Sequence, residues 1–155
     1  MAEGLMTDDL RALIGKPWPP VVFEVERTGI RMWARAVGFV DLVYHDEGTA
    51  RERGFERLPA PPGFVGFPRT RPGDPEPGPP IRGLHPDLNR SLNGGTEFEY
   101  SSPILAGDEL TATTTIVDIK ERSGSVGPML LITRETTFWR DDEQVALMRA
   151  TVINY

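Results

Sequence analysis

The sequence predicts an α+β fold: a long, curved antiparallel sheet wrapped around a central helix. Three features lead there. The chain from residue 93 to its end is a succession of Thr-, Val-, Ile- and aromatic-rich stretches parted by short turn clusters. Those stretches run to about a dozen residues, roughly twice the usual five or six, and strands that long curl. The helical periodicities all lie in the first half, so a sheet follows a helix it can enclose. With 155 residues and 39% hydrophobic content, we expect one domain over 1–155 with a core of its own.

The elements follow in order. Residues 1–14 read as a short amphipathic helical lead-in, with Asp8 and Asp9 favourably placed against the dipole of a first turn. The Gly15-Lys16-Pro17-Trp18-Pro19-Pro20 run stops it, and 21–26 read as a strand. Thr28 is the expected N-cap of a helix in which Ile30, Trp33, Ala34 and Val37 recur at helical spacing and Gly38 is the C′ residue. A second short helix is expected over 47–53, ended by Gly54. The apolar run 60–67 is predicted to enter a short buried helix, since Pro suits a first helical position. Residues 68–89 form a Pro- and Gly-rich excursion that excludes a long helix or a central strand. The first strand after it places Thr96, Phe98 and Tyr100 on one face and Gly95, Glu97 and Glu99 on the other. A turn at Ala106-Gly107-Asp108 and long strands over 109–121, 129–140 and 144–155 complete a meander.

Composition narrows the function. A net charge of −6 argues against general nucleic-acid binding. The absence of cysteine removes disulfides, thiol nucleophiles and thiolate metal sites, and fits a cytoplasmic protein. The two histidines have no paired spacing, so no metal site is expected. No apolar run nears the roughly 18–20 residues of a membrane span, and 1–13 do not resemble a signal peptide. Residues 51–90 hold seven arginines against five acids, a local surplus of two positive charges, while the rest carries −8. That stretch reads either as a solvated loop or as a phosphate-binding rim.

Two blocks carry a resemblance. The first runs from Phe23-Glu24-Val25-Glu26 through Trp33-Ala34-Arg35-Ala36-Val37-Gly38 and Tyr44-His45-Asp46 to Ala60-Pro61-Pro62-Gly63-Phe64. The second is Asn93-Gly94-Gly95-Thr96-Glu97-Phe98-Glu99-Tyr100 followed by Pro103-Ile104-Leu105-Ala106-Gly107-Asp108. Over 16–155 the chain resembles the N-terminal domain of MaoC-like dehydratases, and especially the single hot-dog subunits of (3R)-hydroxyacyl-thioester dehydratases of the fatty-acid-synthase type. The resemblance implies a hot-dog fold and a second hot-dog subunit, the same chain or another, paired across an extended sheet. It implies an acyl-CoA or acyl-carrier-protein thioester as ligand, reversible hydration of trans-2-enoyl thioesters, and neither metal nor redox cofactor.

The reaction needs an acid–base pair, donors for the thioester oxygen and an apolar acyl slot. Active members of the family carry Gly-Asp-x-Asn-Pro-Leu-His, the Asp and His being the pair. Here the matching run is Gly38-Phe39-Val40-Asp41-Leu42-Val43-Tyr44. Phe39 replaces the acid and Tyr44 the histidine, and an unperturbed tyrosine is a poor base at neutral pH. Asp41 and His45, four residues apart, form either a shifted dyad or an ordinary turn cap and a surface histidine. Pro62, Gly63 and Phe64 are candidate substrate-binding residues if a helix N-terminus there offers free N–H groups; otherwise Gly63 is a packing glycine. Asn93, Gly94 and Gly95 permit close backbone approach to a ligand, or make a turn. Trp33, Phe64, Phe67, Phe98 and Phe138 either line an acyl slot or are core. The expected function is the thioester-binding subunit of an (R)-specific hydratase or dehydratase whose partner supplies the dyad. The alternatives are a self-sufficient hydratase or thioesterase using Asp41 and His45, and a non-enzymatic acyl-thioester-binding module.

Overall fold

The computed structural model describes residues 4–74, 76–79 and 83–155. Helix α1 (Asp8–Leu13) is capped by Thr7, whose hydroxyl accepts from the Leu10 N–H at 3.2 Å. Strand β1 (Val21–Glu24) leads into α2 (Arg27–Ala36). A 3₁₀ turn (Leu42–Tyr44) and α3 (Glu47–Glu52) follow. After β2 (Phe67–Pro68) come the long strands β3 (Ser91–Tyr100), β4 (Glu109–Gly124), β5 (Gly127–Arg140) and β6 (Glu143–Asn154). They form one antiparallel sheet in the order β2-β1-β4-β5-β6-β3. This is the curled sheet that the long strands predict and the hot-dog sheet that the resemblance implies.

Burial shows which face is inward. On β5, Leu130, Ile132, Thr136 and Phe138 are buried in step with the pleat. On β4, Leu110, Ala112 and Ile116 keep even phase, whereas the next buried residue is Ile119. The register shift between Ile116 and Asp118 accounts for the change, because one extra residue moves the inward face by one. The core falls into two clusters. One joins Ile30 of α2, Val43, Ala50, Leu58 and Phe64 to Leu110, Phe138 and Val145. The other joins Leu5 and Leu10 to Ile116, Ile119, Leu130 and Ile132. The helix that the sheet encloses is therefore α2, which buries Ile30 and Ala34 completely.

Three local expectations are corrected. Helix α2 starts one residue before Thr28, and its N-cap is Glu26, whose side chain makes no capping bond. The strand over 21–26 ends at Glu24, where Val25 turns into the core. The helix expected from Pro62 does not form: the Phe64 N–H bonds to the Pro61 carbonyl at 3.1 Å, closing a turn. Gly63 and Gly66 both lie in the left-handed region, at φ 88° and 91°, which interrupts any right-handed helix. Gly66 also runs so close to β1 that an added Cβ would fall 2.5 Å from the Glu24 carbonyl oxygen. The chain thus passes into β2 beside β1 instead of coiling. Among the described residues no helix is long and apolar enough to cross a membrane.

Gly66→Ala should cost about 2–3 kcal/mol, combining left-handed strain with a backbone clash. Gly38→Ala, also left-handed but in open space, should cost only about 1–2 kcal/mol. Urea unfolding of the two variants should reproduce that order, with unchanged m-values.

Candidate functional site

An open pocket of about 520 Å³ lies between the run after α2 and the chain after β3. Asp41, Val43 and Tyr44 form one side, Arg53, Phe55 and Pro59 with Ala60 and Pro62 a second, and 100–104 a third.

The first wall is built from backbone satisfaction. The Phe39 N–H bonds back to the Ala34 carbonyl at 2.8 Å as α2 ends. Asp41 then caps the 3₁₀ turn, accepting from the Val43 N–H at 3.0 Å, and its other oxygen takes Arg53 Nη1 at 2.7 Å. The Val43 N–H above all, and then the Arg53 side chain, hold the Asp41 carboxyl below its ordinary pKa. Asp41 is a committed carboxylate, poorly suited to take a proton. His45 Nε2 lies 2.9 Å from the Phe39 carbonyl, which can only accept, so Nε2 carries a proton. Arg31 Nε donates to the His45 carbonyl at 2.9 Å. The two members of the shifted pair are thus engaged with different partners, and His45 does not line the pocket. The rings of Phe39 and Tyr44 pack 5.9 Å apart.

The third wall supplies a donor. The Tyr100 hydroxyl accepts from the Gly63 N–H at 2.8 Å. An oxygen that accepts this bond keeps its own proton available for a group in the pocket. Burial raises the Tyr100 pKa, with the Gly63 N–H working against it, so the phenol stays protonated at neutral pH.

A buried carboxylate joins the walls. The Asp108 side chain, only 2% exposed, accepts from Arg57 Nη2, Arg140 Nη1 and the Leu105 N–H, each at 2.9 Å. Arg57 stands two residues before Pro59 on the second wall, and Arg140 also donates to the Pro103 carbonyl of the third at 3.0 Å.

Of the residues singled out from sequence, Asp41, Tyr44 and Pro62 meet in this pocket. Gly63 contributes its N–H to Tyr100 and not to a helix terminus. Phe64 is buried in the core 5.8 Å from Trp33, and Phe138 is core as well. Phe67 is exposed at the sheet edge, and Phe98 stacks on Tyr100 at 5.7 Å. Asn93, Gly94 and Gly95 make a bulge in β3, with Asn93 Oδ1 accepting from the Gly95 N–H at 3.0 Å. The close approach there is to β6: a Cβ on Gly94 would meet Ile153 and the Thr151 carbonyl oxygen. Sequence reasoning missed Tyr100 and Arg53 as site residues. Tyr100 was visible only as a strand residue; its place at the end of β3 opposite the Pro62-Gly63 turn arises from the fold.

The model of the FAS1-like dehydratase domain region matches residues 12–148. The chain belongs to this family. Among curated relatives, a UPF0336 protein of Streptomyces avermitilis is 36% identical over 116 residues, covering 74% of this chain and 76% of the relative. UPF0336 protein SCO4636 of Streptomyces coelicolor matches to the same extent. The fold is similar to that in the ChsH1-ChsH2 complex of Mycobacterium tuberculosis, with a TM-score of 0.76, 22% identity and coverage of 90% of this chain and 88% of that one. It is also similar to a C-terminally truncated HadBC (3R-hydroxyacyl-ACP dehydratase) complex of that organism, with a TM-score of 0.66, 21% identity and coverage of 91% and 96%. As a FAS1-like dehydratase-region chain, it carries Phe39 and Tyr44 where the resemblance places the acid and the histidine.

Asp108→Ala should destabilise the protein by about 3 kcal/mol, the low end for breaking a buried ion pair, because both arginines keep part of their hydration. Chemical denaturation measures this. Asp41→Asn should flatten the acid limb of the stability curve. A depressed folded pKa stabilises above the unfolded value of about 3.9 and is lost as pH falls through the folded value. Midpoints recorded between about pH 5 and 2 test the sign.

Proposed function

We propose that this chain is the acyl-thioester-binding subunit of an (R)-specific enoyl-thioester hydratase or 3-hydroxyacyl-thioester dehydratase, and that a second hot-dog subunit supplies the acid–base pair. The observation that carries this reading is a pocket whose lining, among the described residues, offers a hydrogen-bond donor in Tyr100 and no histidine. The Val43 N–H and Arg53 hold Asp41 as a carboxylate, His45 turns its Nε2 to the Phe39 carbonyl and does not line the pocket, and Tyr100 keeps a phenolic proton to donate. Sheet-edge exposure supports a partner. Among the described residues strand β3 pairs only with β6, and it is exposed along most of its length; edges of that kind are usually covered. The ChsH1-ChsH2 and HadBC structures are complexes of two differently named subunits, which is the arrangement proposed here.

In this division of labour the partner's base takes a proton from water, the water oxygen bonds to Cβ of the enoyl thioester, and the partner's acid delivers a proton to Cα. Negative charge gathers on the thioester oxygen during the step. Tyr100 Oη donates to that oxygen, and Val43, Phe55 and Ile104 contact the acyl group. The carrier is coenzyme A or an acyl carrier protein, and the step needs no metal or redox cofactor.

The test is purification of the chain alone and with any hot-dog protein encoded beside it, followed by hydration of crotonyl-CoA and longer enoyl-CoAs, read as loss of enoyl absorbance. Turnover should require both chains, and Tyr100→Phe should lower kcat/KM by about 10- to 100-fold. Asp41→Asn and His45→Ala should leave kcat within about threefold. Full activity from the chain alone, or a loss of orders of magnitude in either of those two variants, would favour a self-sufficient enzyme. Thioester binding by calorimetry without turnover in any pairing would reduce the role to that of a binding module.

A further inference from the structure

A second pocket, of about 1250 Å³, shares no lining residue with the first. Among the described residues it is lined by 18–22, 69–70, 74, 76–79 and Arg134 of β5. Trp18, Pro20 and Val22 form its apolar side, Pro77 and Pro79 the excursion side, and Arg134 stands among the lining residues. Its volume exceeds the roughly 300–1,000 Å³ usual for small-molecule sites, so a long apolar body fits.

Arg134 is out of place by pattern. It continues the inward face of β5, in phase with Leu130, Ile132, Thr136 and Phe138, and pairs across the sheet with Ile116 and Ala150. Ile132 belongs to one core cluster and Phe138 to the other, so position 134 falls between them along the strand. Its Nε is sealed from solvent without a hydrogen-bond partner. Among the described residues no carboxylate forms an ion pair with it. Burial pushes its pKa down, yet an arginine keeps its charge at any pH the fold survives. A cation that lines a pocket beside Trp18, Pro20 and Val22 and has a sealed, unpartnered Nε calls for an anion, and the neighbouring arginine does not share the need: Arg69 is paired with Glu24 and Glu109.

We propose that Arg134 and this pocket bind an amphiphilic carboxylate, its head on the guanidinium and its apolar body against Trp18, Pro20 and Val22. The lining favours that class. A planar carboxylate matches a guanidinium face with two parallel hydrogen bonds. Asp74 and Glu76 also line the pocket, so a dianionic phosphate head would meet repulsion that a monoanion meets less. The site is separate from the thioester pocket and does not depend on the hydratase reading. A free fatty acid and the distal carboxylate of a dicarboxylic acyl chain share this chemistry.

The experiment titrates the full chain with decanoate and with uncharged decan-1-ol, below micelle-forming concentrations, by calorimetry and by ¹H–¹⁵N spectra. The chain has three tryptophans, so Trp18→Phe assigns the Trp18 indole N–H among three peaks. Decanoate should bind at least about tenfold more tightly than decanol, one charge-assisted pair's worth, and should shift the Trp18 peak. Arg134→Gln should bring decanoate down to the affinity of decanol and leave decanol unchanged. Equal affinities in the wild-type chain, an unmoved Trp18 peak, or undiminished decanoate binding in Arg134→Gln would each overturn the proposal. Should that variant fail to fold, the wild-type comparison of the two probes decides alone. Sebacate monoester separates the two sources: binding equal to decanoate admits a distal carboxylate on a longer acyl derivative, and weaker binding restricts the site to free acids.

Discussion

Asp108 accepts hydrogen bonds from two arginines that reach it from opposite sides, Arg57 before the Pro59-Ala60 wall and Arg140 at the end of β5. Its remaining bond, to the Leu105 N–H, folds the turn that starts β4. A carboxylate so buried is tolerable only when its lone pairs are filled, and here three donors fill them. Because each arginine also holds a backbone carbonyl, Ala106 by Arg57 and Pro103 by Arg140, the ion cluster ties loop geometry to sheet geometry. The pocket's second and third walls are set by this one group. If it is lost, the strands can still pair, but the loops that shape the pocket have no common anchor.

The same economy governs the first wall, where polar groups are used for structure and so withdrawn from chemistry. Asp41 caps a turn and pairs with Arg53; His45 secures the Phe39 carbonyl; Asp46 caps α3 by accepting from the Thr49 N–H at 2.7 Å. A general base must have a lone pair facing the substrate and a pKa near the working pH. The Asp41 carboxyl is held below its ordinary pKa, and His45 does not line the pocket. Tyr100 differs, since the bond it makes with Gly63 uses a lone pair and leaves its proton available.

The inward face of the sheet is apolar along most of its length and is broken at the seam between the two core clusters. Thr114 and Thr136 satisfy each other there through hydroxyls 2.8 Å apart, whereas Arg134, one pleat away, has no such partner. A threonine pair is self-sufficient because each hydroxyl both donates and accepts; a guanidinium only donates, so its complement must come from elsewhere.

How much was legible in the sequence follows from which interactions are local. The long strands announced themselves through β-branched residues in unbroken runs, and helix α2 through Ile30 and Ala34 one turn apart, since strand and helix periods are written in neighbouring residues. The family resemblance rested on equally contiguous blocks, and that resemblance is what sets Phe39 and Tyr44 against the family's acid and histidine. The local chemistry of 60–67 misled: an apolar run behind prolines suits a buried helix, but the nearness of Gly66 to the Glu24 carbonyl is a contact across more than forty residues and draws the segment into β2. The pocket is non-local for the same reason. Tyr100 meets Gly63 and Arg140 meets Asp108 only because the sheet brings distant stretches of chain within hydrogen-bond reach. The sequence by itself therefore determined the fold class and the family resemblance. Only the tertiary structure decided which of the remaining polar groups are free to act, because a donor or acceptor is spent or spared by partners that the chain meets when it folds.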